Sequence, residues 1–181
     1  MEKYKSAINI GLFWGFGYII LSMIFYLINH NLLHSMWIQS ILFLVGLGIM
    51  YYAGTVIRKD FGGLIKWKDA MTGIWLSSLI FIVITNLFTY VLYQWIDPDL
   101  KAELMQVQVK AVDNMRDFLG EEEYEKALEA LQQTDSFDMS GILKSIPFFA
   151  LGYFAISCLI ALAVKKEQNW DAGNETFNDK F

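Results

Sequence analysis

The sequence is short of nearly everything a catalytic or metal centre is built from. Of 181 residues, one is cysteine, two are histidine and two are proline. The lone Cys158 excludes a disulfide within the chain. Basic residues are scarce as well: 14 Lys and Arg against 19 Asp and Glu give a formal net charge of −5. Nucleic-acid binding needs a basic face, so nucleic acid is not expected as a partner.

What is present is apolar. Hydrophobic residues make up 55% of the chain and aromatics 16%, above the roughly 45–50% apolar share of soluble domains. Mean hydropathy is +0.37. The apolar residues are gathered into runs, which is the membrane pattern. A hydrocarbon core about 30 Å thick needs roughly 20 apolar residues at about 1.5 Å rise each. Four segments qualify, at about 7–28, 36–57, 70–95 and 142–164, and none carries an acid or base in its central stretch. Lys144 falls in the first turn of the fourth, where its stem can snorkel, with Pro147 close behind near the helix start. Lys3 and Lys5 resemble the basic region of a signal peptide. The apolar run after them is too long for one and no small-x-small cleavage site follows, so the first span reads as a retained helix.

Lys and Arg distribution sets the expected orientation. Lys3 and Lys5 precede span one, Arg58, Lys59, Lys66 and Lys68 separate spans two and three, and Lys165 and Lys166 follow span four. Between spans one and two lie His30 and His34 but no Lys or Arg. The 96–141 loop holds four Lys/Arg and twelve Asp/Glu. Both termini are therefore expected in the cytoplasm and the acidic loop outside. Aromatic belts agree: Tyr4, Tyr51, Tyr52, Trp67 and Trp75 mark the inner interface, and Trp37, Tyr90, Tyr93 and Trp95 the outer one.

Helices in lipid associate through small residues. Gly11 and Gly15 form a GxxxG pair with Ser22 on the same face. Gly46 with Ala53, Gly48 with Thr55, and Ser157 with Ala161 are further candidates. In span three, Ser78, Thr85 and Thr89 share a narrow arc with Asn86 beside it. That stripe reads either as a polar path for a ligand or as hydrogen-bonding glue between helices. The second is favoured, because ion pathways usually carry an ionisable residue at mid-depth and this chain has none. Asn9, near the inner interface, and Cys158, among apolar neighbours, read as structural.

The outer loop reads as an amphipathic helical hairpin. Asp97-Pro98 opens a helix whose Leu100, Leu104, Val107, Ala111, Met115 and Phe118 fall on one face. Gly120 stops it. Glu121, Glu122 and Glu123 start a second helix, with Tyr124, Ala127, Leu128 and Leu131 as its apolar face and Glu122 paired to Lys126. Residues 134–141 form a polar connector. The two stripes either pack on each other or the membrane surface, or form a docking face. No calcium-loop spacing is present, and His30 with His34 supplies too few ligands for zinc, so no metal, cofactor or catalytic site is expected.

The inner loop, Arg58-Lys59-Asp60-Phe61-Gly62-Gly63-Leu64-Ile65-Lys66-Trp67-Lys68-Asp69-Ala70, and the Ile96-Asp97-Pro98 exit of span three resemble domain-of-unknown-function family 4199. The resemblance runs from about Tyr4 to Lys166. It implies a small bacterial four-helix protein of the inner membrane and no assigned activity. Read from the residues alone, Gly62-Gly63 permits a tight turn, Trp67 anchors at the interface and Asp69 caps span three.

The expected fold is therefore all-α, a four-transmembrane-helix bundle with an extracytoplasmic helical hairpin between helices three and four. Residues 1–166 form the membrane domain and 167–181 a polar, disordered cytoplasmic tail. The expected role is a non-enzymatic accessory or scaffold protein using its outer loop. The alternative is a component of an oligomeric transporter or channel. A membrane enzyme would need a catalytic set at one depth, which the sequence does not offer. Expected partners are the lipid bilayer, and a membrane or periplasmic protein or a second copy.

Overall fold

The computed structural model describes residues 4–29, 32–33, 35–133 and 138–166. Among these the chain is helical, with no strand. The helices are α1 (Lys5–Ile28), α2 (Met36–Asp60), α3 (Trp67–Val91), α4 (Asp99–Asp113), α5 (Arg116–Leu119), α6 (Glu121–Gln133) and α7 (Met139–Val164), and a π-helical turn, Leu92–Ile96, extends α3. Four of them, α1, α2, α3 with its π turn, and α7, are long and apolar enough to cross a membrane. His30, His34 and the 167–181 tail lie outside the described residues.

Helix α3 is the hub. Its most extensive contacts are with α7 and α1, then α2, whereas α1 and α7 barely meet. Small residues permit the close approaches. Gly11 and Gly15 are buried against α3: a Cβ on Gly11 would sit 2.6 Å from the Ser77 carbonyl oxygen, and one on Gly15 2.9 Å from Ile84 Cγ2. Ser22 is buried on the same side. Gly46 and Ala53 of α2 are buried, as are Ser157 and Ala161 of α7. The Gly48–Thr55 pair behaves differently, since Gly48 is exposed and meets nothing.

Two indoles pin α3 to α7. Trp67 Nε1 donates to the Cys158 carbonyl and Trp75 Nε1 to the Ala150 carbonyl, both at 3.1 Å. An indole N–H in hydrocarbon needs an acceptor, and the neighbouring backbone supplies it. These tryptophans thus serve as helix-to-helix ties, a role beyond the belt positions expected of them. Tyr93, expected at the outer belt, is buried within the protein. Cys158 is half-buried, less enclosed than expected from its neighbours.

Several boundaries differ from the sequence reading. Asp69 does not cap α3, which starts at Trp67. It accepts a hydrogen bond from the Tyr4 hydroxyl at 3.1 Å. Helix α7 begins at Met139, so Pro147 lies inside it rather than near its start. The proline removes one backbone donor and leaves the carbonyl four residues back without its helical partner. Asp138 makes the early start: its carboxylate accepts from the Gly141 amide at 2.6 Å. That bond holds the Asp138 carboxyl below the ordinary carboxylate range, with Ser140 and Lys144 assisting.

At the basic end, Gly62 and Gly63 adopt φ of 76° and 88°, the left-handed region that glycine enters freely. The turn they make brings Ile65 beside Lys166. The two exchange backbone hydrogen bonds at 2.9 and 3.1 Å, and Arg58 donates to the Val164 carbonyl at 3.3 Å.

Candidate functional site

The first half of α2 stands apart. Its buried residues, Gly46, Met50, Ala53, Gly54 and Ile57, all lie from Gly46 onward, and none falls among its first ten residues. Between the first half and the other long helices lies a cavity of about 480 Å³. That is within the range of about 300–1,000 Å³ typical of small-molecule sites.

Its apolar part is aromatic. Trp14 of α1 stacks on Phe81 of α3, with ring centroids 3.9 Å apart. Tyr153 of α7 meets Trp14 edge-on at 6.1 Å, and Tyr18 of α1 meets Phe81 edge-on at 5.6 Å. Its polar part comes from Thr85, Asn86 and Thr89 of α3, Ser145 of α7, Gln39 of α2 and Gln108 of α4. A second cavity of about 310 Å³ shares Tyr18, Gln39 and Thr89 with the first and runs beneath Leu104 and Val107 of α4.

The polar stripe of span three is thus partly a cavity wall. Ser78, Thr85 and Thr89 do not bond across helices; each hydroxyl donates to a carbonyl of its own helix, at 3.1, 2.9 and 2.9 Å. Asn86 alone of the four crosses, accepting from Ser145 Oγ at 2.9 Å while its amide donates to the Ile82 carbonyl at 2.8 Å. The glue reading holds for one residue in four. Ser78 is buried outside the cavity, and the other three line it. Sequence reasoning missed Trp14, Tyr18, Gln39, Phe81, Gln108 and Tyr153. The available signal was aromatic residues with polar atoms far from either interface.

At the acidic end, α4 is seated on the long helices. Leu92, Tyr93 and Leu100 form a buried cluster with Tyr26, Leu33, Phe88 and Leu104 packed on it. The π turn makes this possible: its i+5 bond, Asp97 amide to Leu92 carbonyl at 2.9 Å, turns Leu92 and Tyr93 inward. The Tyr26 hydroxyl donates to Asp97 Oδ2 at 3.0 Å, and Asp97 Oδ1 accepts from the Asp99 amide at 3.2 Å. Helices α4 and α6 touch. The Tyr124 hydroxyl donates to Asp113 at 2.6 Å, a bond that raises the tyrosine above its ordinary range. Arg116 pairs with Glu121 at 2.6 Å and lies 4.9 Å over the Tyr124 ring; the carboxylate raises the guanidinium further. The expected Glu122–Lys126 pair forms at 2.8 Å.

The apolar stripe expected on this segment divides. Leu100 and Leu104 turn inward, whereas Val107, Ala111, Met115 and Phe118 are exposed, Phe118 at 90%. The helix ends at Asp113, so the last two leave its face. On α6, Tyr124, Ala127, Leu128 and Leu131 are half-buried, as their spacing indicates. No group of three or more His, Cys, Asp or Glu among the described residues could hold a metal ion.

Four apolar spans around a partly polar cavity define a multi-pass membrane protein. The family model described as protein of unknown function, DUF4199, matches residues 9–166, and the chain belongs to that family. No curated protein matches the chain, and no solved structure matches it either.

Proposed function

We propose that the protein is a non-enzymatic accessory or scaffold component of a bacterial cytoplasmic membrane. In this reading both termini are cytoplasmic and a protein partner is engaged through the α4–α6 segment. One observation carries it: the segment is fixed at its base by the Leu92–Tyr93–Leu100 cluster, yet it leaves Met115 and Phe118 bare. An exposed Met and Phe held on an anchored support suit a protein interface, where Met and aromatic residues are enriched. The Lys and Arg pattern supports the orientation.

The test is site-specific photocrosslinking in native membranes, with a benzophenone amino acid at position 118 and a control at the exposed Glu125. A discrete protein adduct at 118 and none at 125 is expected. Adducts to lipid alone at 118 would refute the docking role. A second reading, a subunit of an oligomeric transporter or channel, draws support from the cavity. It requires a path through the membrane, so solute flux in proteoliposomes that Thr85→Leu blocks would favour it over the first.

A further inference from the structure

The geometry points to the cavity between the first half of α2 and helices α1, α3 and α7 as a binding site for a neutral, single-chain amphiphile whose head carries ester or hydroxyl oxygens. This goes beyond partner docking and does not depend on it. Phe81 lies at the middle of the third span, Trp67–Ile96. Thr89 is eight residues further along, about 12 Å at about 1.5 Å per residue. That covers most of the roughly 15 Å half-thickness of a hydrocarbon core. The cavity therefore runs from an aromatic floor near the midplane to a polar mouth near the headgroups. The second cavity, sharing Tyr18, Gln39 and Thr89, continues it beneath α4.

Polarity then selects the ligand. The polar groups at the mouth are amides and aliphatic hydroxyls, all uncharged at neutral pH. A charged head would meet no counter-charge there, which makes its burial costly. A purely apolar chain is an equally poor fit. The hydroxyls of Tyr18 and Tyr153 and the amide of Gln108 line the cavity without a hydrogen-bond partner among the described residues. Asn86 uses one amide proton on Ile82 and its oxygen on Ser145, leaving a second proton to donate. In hydrocarbon a donor without an acceptor is costly, and an alkyl chain cannot relieve it. An ester carbonyl or a hydroxyl can: the hydroxyls of the head would meet Asn86 and Gln108, and its ester carbonyl, deeper in, the hydroxyls of Tyr18 and Tyr153, with the tail along Trp14 and Phe81.

The experiment uses the full-length protein purified in mild detergent and titrated with monoolein, read by native mass spectrometry. Hexadecane, which has the chain without the head, is the competitor. Saturable one-to-one binding that hexadecane fails to displace is expected. Tyr18→Phe and Tyr153→Phe should each weaken it by about 2- to 10-fold, the worth of one net hydrogen bond. Both variants remove hydroxyls that bond nothing in the described chain, so wild-type melting without ligand is expected and serves as the folding control. Absent or non-saturable binding, displacement by hexadecane, or equal affinity in both folded variants would overturn the assignment.

Discussion

Replacing Gly11 by alanine tests the central contact of the fold. A Cβ there would lie 2.6 Å from the Ser77 carbonyl oxygen and 3.1 Å from the Ser77 Cα, where ordinary contact begins at 3.4 Å. The shortfall of 0.8 Å at the carbonyl is against backbone, which cannot rotate aside, so α1 and α3 must separate. Overpacking of this kind costs about 1–3 kcal/mol. Alanine returns up to about 1 kcal/mol through helix propensity wherever it replaces glycine in a helix. Gly17→Ala, on the same helix with nothing within 4 Å of its Cβ, supplies that gain alone and is the internal reference. The two variants should differ by about 1–3 kcal/mol. For a chain of this size about 1 kcal/mol moves the midpoint by about 2–4 °C, so Gly11→Ala should melt about 2–12 °C below Gly17→Ala. Gly15→Ala should fall between them, because its obstacle is the Ile84 side chain. Intrinsic tryptophan fluorescence during a thermal ramp in detergent reads all three. A Gly11→Ala protein that melts at or above Gly17→Ala would refute the close α1–α3 packing.

Alkaline phosphatase fused after Glu129 should be active and fused after Lys166 inactive; the reverse pattern would overturn the orientation. Asp138→Ala should lower the melting temperature at pH 6 by removing the acceptor for the Gly141 amide. The Asp138 carboxyl is held below its ordinary value of 3.8, so its contribution is complete above that pH and is lost as pH falls through the lowered value. The gap between wild type and variant should therefore narrow below pH 3.8, and a gap independent of pH would rule out the charged cap. Trp75→Phe should destabilise by about 0.5–1.5 kcal/mol, the net worth of a hydrogen bond, because the indole bond to the Ala150 carbonyl is lost; unchanged melting would show that bond to be dispensable.

The four spans were legible because hydrocarbon thickness acts on length and composition, which a sequence states directly. Gly11 and Gly15 were legible as a contact, since small residues four apart have few other uses in lipid. The cavity was not. It depends on the first half of α2 standing away from its neighbours, and nothing in Met36–Val45 distinguishes a packed half-helix from a free one. Nor could spacing alone assign bond partners: Thr85 and Thr89 had equal reach to their own helix and to another, and their own carbonyls were nearer. The loop stripe misled for a related reason. A period of 3.6 locates a face only while the helix continues, and α4 ends before Met115. The π turn at Leu92–Ile96 has no residue signature, yet it decides that Tyr93 faces inward.

The hub arrangement carries a consequence for biogenesis. A chain synthesised from its N-terminus delivers α1 and α2 to the bilayer before α3 exists. Gly11 and Gly15, shaped to fit Ser77, Ile80 and Ile84, then have only lipid against them, and the modest α1–α2 contact must hold the pair meanwhile. Insertion of α3 completes two interfaces at once, and α7 adds the third by docking onto it. A nascent chain halted between α2 and α3 would expose unfilled grooves to every other helix in the membrane. Before α3 emerges, the surfaces of α1 and α2 that it will fill therefore lie open to wrong associations.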